Sequence, residues 1–129
     1  MAEDVPQAPE DLLESEPLAG FLATSVDDDP HVAPVWYRYE DGVLELTTSG
    51  KKLQNLRANP RAAFSVHKAE AGIPEWMVSL QGTATVIEAE APNRQVRRAI
   101  NAKYGAEPDA FAGNTLVRID VDRASHTVY

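Results

Sequence analysis

The chain has 129 residues, which suits a single domain, and it carries 12 Lys and Arg against 20 Asp and Glu, a formal net charge of -8. This acidic balance argues against nucleic acid as a partner, because a surface that binds the phosphate backbone needs an excess of positive charge. The absence of cysteine excludes disulfides, thiolate metal ligands and cysteine nucleophiles. The acidic start lacks the apolar run of a secretory signal, and no stretch of about 20 apolar residues follows, so we expect a soluble, cytoplasmic protein without a membrane span.

The first predicted elements are a short helix and a strand. We expect residues 1–8 to be disordered and residues 9–129 to form the domain. Pro9 followed by two acids predicts a helix start, since proline fits the first turn and acids complement the helix dipole. The segment 20–26 predicts a strand, and three aspartates before Pro30 predict a turn. Adjacent aspartates can also bind a cation, but the spaced ligands of a calcium loop are absent, so we expect no metal site.

The stretch 30–61 is predicted to form a strand, a tight turn, a second strand and a short helix. Glu40-Asp41-Gly42 lies between two alternating apolar runs, which is typical of a β-hairpin. Pro34 cannot donate a hydrogen bond to a β-ladder, so we place it on a sheet edge or at a bulge. The helix is expected at 51–58 and should end at Asn59-Pro60.

The second half of the chain consists mainly of alternating segments that predict strands. The predicted elements are strands at 61–68, 75–88, 115–122 and 124–129 and a helix at 91–104. Gly82, in the middle of the longest strand, predicts a bulge that would bend this strand around a barrel. The predicted fold is therefore mainly β, a barrel of six to seven antiparallel strands with flanking helices. A second copy would cover the sheet edges of such a barrel, so we expect a homodimer.

A hydroxyl-rich loop leads into the predicted helix at 51–58. Its residues are Thr47, Thr48, Ser49 and Gly50, and Lys51 and Lys52 follow immediately. Free backbone N–H groups, the helix dipole and two ammonium groups all favour a bound anion there, most simply a phosphate. Alternatively, Ser49 only caps the helix and both lysines are solvated. The local sequence leaves both interpretations open.

The usual catalytic motifs are absent from the sequence. There is no Gly-x-Ser-x-Gly elbow, no dinucleotide-binding glycine pattern and no His-Glu-x-x-His. Gly50-Lys51 matches part of a phosphate-binding loop, but Lys52 stands where that motif needs Ser or Thr. The three histidines, at positions 31, 67 and 126, are far apart and lack ligand spacing. We therefore leave the catalytic residues unassigned, and any chemistry would depend on a bound cofactor.

Several short segments, taken in their order and spacing, carry a family resemblance. They are Pro-His-Val-Ala-Pro-Val-Trp-Tyr at 30–37, Asp41-Gly42, Thr47-Thr48, Lys51-Lys52, Asn-Leu-Arg-Ala-Asn-Pro-Arg at 55–61, Glu-Trp-Met-Val at 75–78, Gln-Gly-Thr-Ala at 81–84 and Ser-His-Thr-Val-Tyr at 125–129. From Gly20 onward the chain resembles the pyridoxamine 5'-phosphate oxidase-like family of FMN-binding split β-barrels. The resemblance implies a split-barrel homodimer with a flavin at the subunit interface.

The resemblance also implies which residues would contact the flavin. Those implied on the phosphate side are Thr47, Thr48, Ser49, Lys51 and Lys52. Along the ring and the ribityl chain, the implied contacts are made by backbone groups of four residues: Ala33, Pro34, Val35 and Trp36. Those implied to reach across from the other subunit are Trp76 and Met77.

The implied function is that of an FMN-dependent oxidoreductase acting on an unknown small molecule. Members of the family use either FMN or the deazaflavin coenzyme F-420, which has a longer acidic tail, and a site with two lysines serves either. A deazaflavin-dependent reductase is therefore one alternative. A non-catalytic flavin carrier or sensor is another, because the chain shows no evident acid or base.

Overall fold

The computed structural model describes residues 7–129, with side chains from Pro9 onward, so residues 1–6 of the expected disordered segment lie outside it. Its elements are α1 (Gln7–Ser15), β1 (Gly20–Val26), β2 (Asp29–Val35), β3 (Arg38–Glu40), β4 (Val43–Thr48), α2 (Gly50–Ala58), β5 (Arg61–Glu70), β6 (Ile73–Ile87), α3 (Glu90–Lys103) and β7 (Thr115–Val128). Helix α1 begins two residues before the predicted start at Pro9. Pro9 still lies in the first turn, where its missing N–H costs no helical hydrogen bond.

The strands within residues 7–129 form one seven-stranded sheet in the order β2-β1-β5-β6-β7-β4-β3, and every neighbouring pair is antiparallel. This confirms the prediction of a mainly β, antiparallel fold. Pro34 lies on β2, which is an edge strand, as its missing N–H predicted.

Two hairpin turns depend on residues that accept a left-handed backbone. Asp27 and Asp28 have φ angles of 52° and 63°, and Asp41 and Gly42 have φ angles of 48° and 82°. Aspartate and glycine tolerate this region better than other residues, and two positive φ angles in succession match the twist of an antiparallel hairpin. Both predicted turns are thereby confirmed.

The C-terminal strand differs from the prediction of separate strands at 115–122 and 124–129. Strand β7 is continuous, and the sheet register passes from the pair Gln81–Arg123 to the pair Gly82–Val121. Asp122 is the extra residue, so the interruption predicted from the sequence is a bulge within one strand. The register shift occurs at Gly82 as predicted, but the extra residue lies on the partner strand β7 and not on β6. A Cβ atom on Gly82 would lie 2.3 Å from the carbonyl oxygen of Asp120.

The main core lies on the inner face of the sheet. Its fully buried side chains include Leu22, Leu44, Leu46, Val66 and Val78. Their alternation with more exposed residues along each strand is the pattern expected of a sheet that buries one face. None of the helices within residues 7–129 is long and apolar enough to cross a membrane.

A second, smaller cluster attaches α3 to the sheet. Val96 and Ile100 of α3 pack with Leu116 of β7, and Trp36 and Tyr104 pack against this group. The helix thus carries its C-terminal end to the segment that joins β2 and β3.

Candidate functional site

A cavity of about 290 Å³ lies where the end of β2, the β4–α2 junction and α3 meet. Its wall is formed by Ala19, Pro34, Val35, Trp36, Thr47, Thr48, Ser49, Lys52, Ile100, Asn101, Phe111 and Asn114. The structure thus brings together seven of the predicted site residues. They are Pro34, Val35, Trp36, Thr47, Thr48, Ser49 and Lys52.

One end of the cavity is the start of α2. Ser49 precedes the helix in an extended conformation, and its side chain makes no capping hydrogen bond. Gly50 has a φ angle of +65°, a region that glycine enters without strain, and it turns the chain into the helix. Ser49 therefore occupies the N-cap position of α2 without the capping hydrogen bond of its side chain. The first backbone N–H groups of α2 lack this side-chain partner, and such groups favour a bound anion.

Thr48 places a hydroxyl group in the same wall. Its side chain is buried, with 2% exposure, and Oγ1 has no hydrogen-bond partner among the described residues. A buried hydroxyl without a partner costs about 1–3 kcal/mol. Thr48 is therefore a buried polar residue of the cavity wall whose hydroxyl no described residue satisfies.

The two lysines diverge. Lys52 lines the cavity, whereas Lys51 lies outside its wall and has its Nζ 3.5 Å from a carboxylate oxygen of Asp29. Successive residues of a helix point about 100° apart, which directs the two lysine side chains to different sides of α2. Of the two predicted cations, the structure brings Lys52 to this site.

The other end of the cavity is aromatic. The ring of Trp36 stacks on Tyr104, with 4.6 Å between centroids and 4° between planes, and Phe111 meets it edge-on at 5.5 Å. The Tyr104 hydroxyl donates to the carbonyl of Leu18 at 2.7 Å, and burial raises the pKa of Tyr104 to about 12. The Trp36 ring is consequently held by a neutral, hydrogen-bonded partner.

A half-buried cation lies beside this stack, outside the cavity wall. The Lys103 ammonium donates to the carbonyl of Tyr37 at 2.9 Å and lies 3.8 Å from the centroid of the Tyr37 ring. Burial lowers the pKa of Lys103 to about 8. Its hydrogen bond ties the end of α3 to the residue next to Trp36.

The family model for pyridoxamine 5'-phosphate oxidase matches residues 6–127. The chain belongs to this family. Its predicted resemblance is thereby confirmed, and so is the split β-barrel fold, which also appears in solved structures of similar shape. A search among proteins with curated descriptions found no match.

Three solved structures place this member of the pyridoxamine 5'-phosphate oxidase family among its relatives. An "F420 Reductase" is 30% identical, with 94% of this chain and 98% of that chain covered and a TM-score of 0.74. An FAD-binding protein from Mesorhizobium loti is 22% identical, with 95% and 94% covered and a TM-score of 0.75. The heme storage protein HutZ from Vibrio cholerae is 16% identical, with 95% and 93% covered and a TM-score of 0.76. The last two show the fold alone.

Some residues that the family resemblance implicated lie elsewhere in this family member. Ala33 is outside the cavity wall, and Trp76 is buried in the main core of its own chain. Met77 pairs with His67 across β6 and β5, so the contact of Trp76 and Met77 with a flavin of the other subunit stays a prediction. Within residues 7–129, no group of three or more His, Cys, Asp or Glu side chains could hold a metal ion.

Part of the wall, supplied by α3 and the loop after it, was not predicted from the sequence. These residues are Ile100, Asn101, Phe111 and Asn114. The apolar face of the predicted helix at 91–104 indicated that it packs on the sheet, but no local pattern indicates against which strand end. The buried amide of Asn101 donates to the carbonyls of Pro108 and Ala110 at 3.0 Å each, which holds the loop in place.

Proposed function

We propose that this protein binds a flavin-type cofactor in the cavity between α2 and Trp36 and uses it to oxidise or reduce a small molecule. A bound flavin supplies the transfer of electrons or hydride, and the protein binds and orients it. The observation that carries the proposal is the buried, unpartnered hydroxyl of Thr48, which lies in one wall with Lys52 and Trp36. This wall offers hydrogen bonds and positive charge on one side and an aromatic surface on the other.

The α2 end suits the phosphate group of such a cofactor. Lys52 would bind it through charge-assisted hydrogen bonds, and the hydroxyl of Thr48 and the free N–H groups of α2 would complete the contact. On a chain of net charge -8, an anion is retained only where positive charge is concentrated. The expected FMN carries one phosphate of this kind.

The Trp36 end suits the flat ring of the cofactor. Trp36, Val35, Ile100 and Phe111 give this side of the cavity an apolar and aromatic wall, on which a conjugated ring packs well. Tyr104 covers one face of Trp36 and fixes its orientation. The protein would thereby set the position of the ring without a catalytic acid or base of its own.

The expected homodimer also belongs to this proposal. A cavity of about 290 Å³ is small, because binding sites for small molecules usually measure about 300–1,000 Å³. Phe21 on β1 and Val32 on the neighbouring edge strand β2 expose large apolar side chains, as a face covered by a second copy would. Light scattering on the purified protein should give twice the mass of one chain, and a monomeric mass would remove this part of the proposal.

Titration of the stripped protein with FMN, followed by flavin fluorescence, tests the proposal. We expect Lys52→Ala to raise the dissociation constant about tenfold or more, since a hydrogen bond to a charged group contributes about 1.5–3 kcal/mol. Lys51→Ala is the matched control, because it removes the same charge from the adjacent position and should change the constant less than about threefold. Equal effects of the two substitutions would place the phosphate elsewhere.

A second candidate is a deazaflavin-dependent reductase. It is favoured by the 30% identity to the "F420 Reductase", which extends over nearly the whole of both chains. The same titration with coenzyme F-420 separates the two, and binding of F-420 alone would assign the protein to this class. Reduction of the bound cofactor by NAD(P)H without turnover on any acceptor would indicate a carrier or sensor. Binding of neither cofactor would refute the proposed function.

A further inference from the structure

A second cavity, of about 370 Å³, adjoins the first one on the far side of the loop before β7. Its wall is formed by Glu88, Glu90, Asn93, Arg97, Ala112, Asn114 and Thr115. Asn114 lines both cavities, so the two are neighbours that share this residue.

Arg97 is the unusual group in this second cavity. Its side chain is only 12% exposed, and its Nε has no hydrogen-bond partner among the described residues. The nearest carboxylate oxygen, on Asp109, is 3.7 Å from Nη2, and the same oxygen accepts two shorter hydrogen bonds from Arg98, at 3.1 and 3.2 Å. A largely buried guanidinium with five donors is costly unless they are satisfied.

The acids around the cavity are already paired with other arginines. Glu88 forms an ion pair with Arg57, and Glu90 lies 3.7 Å from Arg94. Asp109 lies near both Arg97 and Arg98, so three acids face four arginines and one positive charge is left over around the cavity. The excess is one positive charge in a chain whose net charge is strongly negative.

Asn93, another polar residue of the wall, is less available to a ligand. The amide of Asn93 donates to the carbonyls of Ile87 and Ala89, at 2.6 and 2.8 Å. Its oxygen accepts from the backbone N–H of Leu116 at 2.6 Å. Asn93 therefore builds the cavity, and Arg97 supplies its free binding capacity.

We propose that Arg97 binds the carboxylate group of a small organic acid in the second cavity. A planar carboxylate matches the fork of a guanidinium with two parallel hydrogen bonds. It also neutralises the single excess positive charge, whereas a doubly charged phosphate would leave a net negative charge in this wall. Because Asn114 borders both cavities, the rest of the acid extends toward Trp36, and this acid is the substrate of the oxidoreductase. The last step rests on the proposed function.

The carboxylate site is tested on the full-length protein without a flavin, with benzoate as the probe. The enclosed Nε–H of Arg97 exchanges slowly, so its nuclear magnetic resonance signal reports directly on the guanidinium. We expect benzoate to shift this signal to saturation, while uncharged benzamide and sodium chloride of the same ionic strength leave it in place. Arg97→Lys keeps the positive charge but loses the planar guanidinium with its two parallel donors. The substitution should weaken benzoate binding about tenfold.

Arg98→Gln is the matched control for Arg97→Gln, because Arg98 is the next residue of the same helix and shares Asp109. Calorimetry should show benzoate binding lost in Arg97→Gln and retained in Arg98→Gln, with thermal unfolding confirming that both variants are folded. Equal loss in both variants, binding of benzamide, tighter binding of inorganic phosphate, or no binding of benzoate would each overturn the inference. None of these results depends on the FMN titration, so a failure here is distinguishable from a failure of the proposed function.

Discussion

Replacing Thr48 with valine should make the protein more stable and its cofactor site weaker. Valine has nearly the same shape but no hydroxyl, so the substitution removes a buried polar group that has no partner among the described residues. Relief of this cost should raise the free energy of unfolding by about 1–2 kcal/mol. For a chain of 129 residues this corresponds to about 3–5 °C in Tm for each kcal/mol.

The same substitution should weaken FMN binding about tenfold, because the hydroxyl is the group expected to meet the phosphate. Thermal unfolding without flavin and fluorescence titration with FMN measure the two effects independently. Stability should thus rise while FMN binding weakens, as expected of a residue whose unsatisfied polar group binds a ligand.

Thr24→Val provides the control for this experiment. Thr24 is also buried, but its Oγ1 accepts a hydrogen bond of 3.0 Å from the buried amide of Asn55. Valine there leaves that amide unpaired, so stability should fall by about 1–3 kcal/mol while FMN binding is unchanged. If Thr48→Val instead lowers stability as Thr24→Val does and leaves the FMN constant unchanged, the hydroxyl of Thr48 has a structural partner and the reasoning fails.

Two pH-dependent predictions follow from the charged groups around the sheet. Burial lowers the pKa of Lys103 from 10.5 to about 8. Between pH 8 and 10.5 the unfolded chain therefore binds more protons at this residue than the folded chain does. The free energy of unfolding should rise as the pH increases from about 8 toward about 10. Denaturant unfolding of Lys103→Met should show higher stability at pH 7 and no such rise; a rise of the same size in the variant would contradict this. Burial raises the pKa of Glu45, but hydrogen bonds from two arginines outweigh it and hold the pKa below 4.5. Glu45→Gln should therefore destabilise the protein at pH 7, and the difference should shrink as the pH falls below 4.5; a difference independent of pH would show that the charge is not responsible.

Local patterns in the sequence were sufficient for most of the fold. The strand at Gly20–Val26 was predicted with its observed bounds, and α2 with one residue of difference. Both turns were predicted from aspartate and glycine, because the left-handed backbone of a tight hairpin selects these residue types. The prediction failed at two places. The single strand expected between Pro30 and the turn at 40–42 is two strands, β2 and β3, at opposite ends of the strand order. The separate strands expected in β7 are one strand with a bulge at Asp122, which depends on the partner strand β6.

The sequence alone thus determined the strands, the turns and the presence of a positively charged helix start, because period-two alternation, turn residues and helix-start residues act over a few neighbouring positions. Only the tertiary structure decided that Lys52 faces the cavity while Lys51 pairs with Asp29. It also decided that Trp36 stacks on Tyr104. The same holds for Arg97, which lies largely buried without a hydrogen-bond partner for its Nε among the described residues. The strand order of the sheet and the packing of α3 bring these residues together from distant parts of the chain. Such contacts produce no periodic pattern in the sequence.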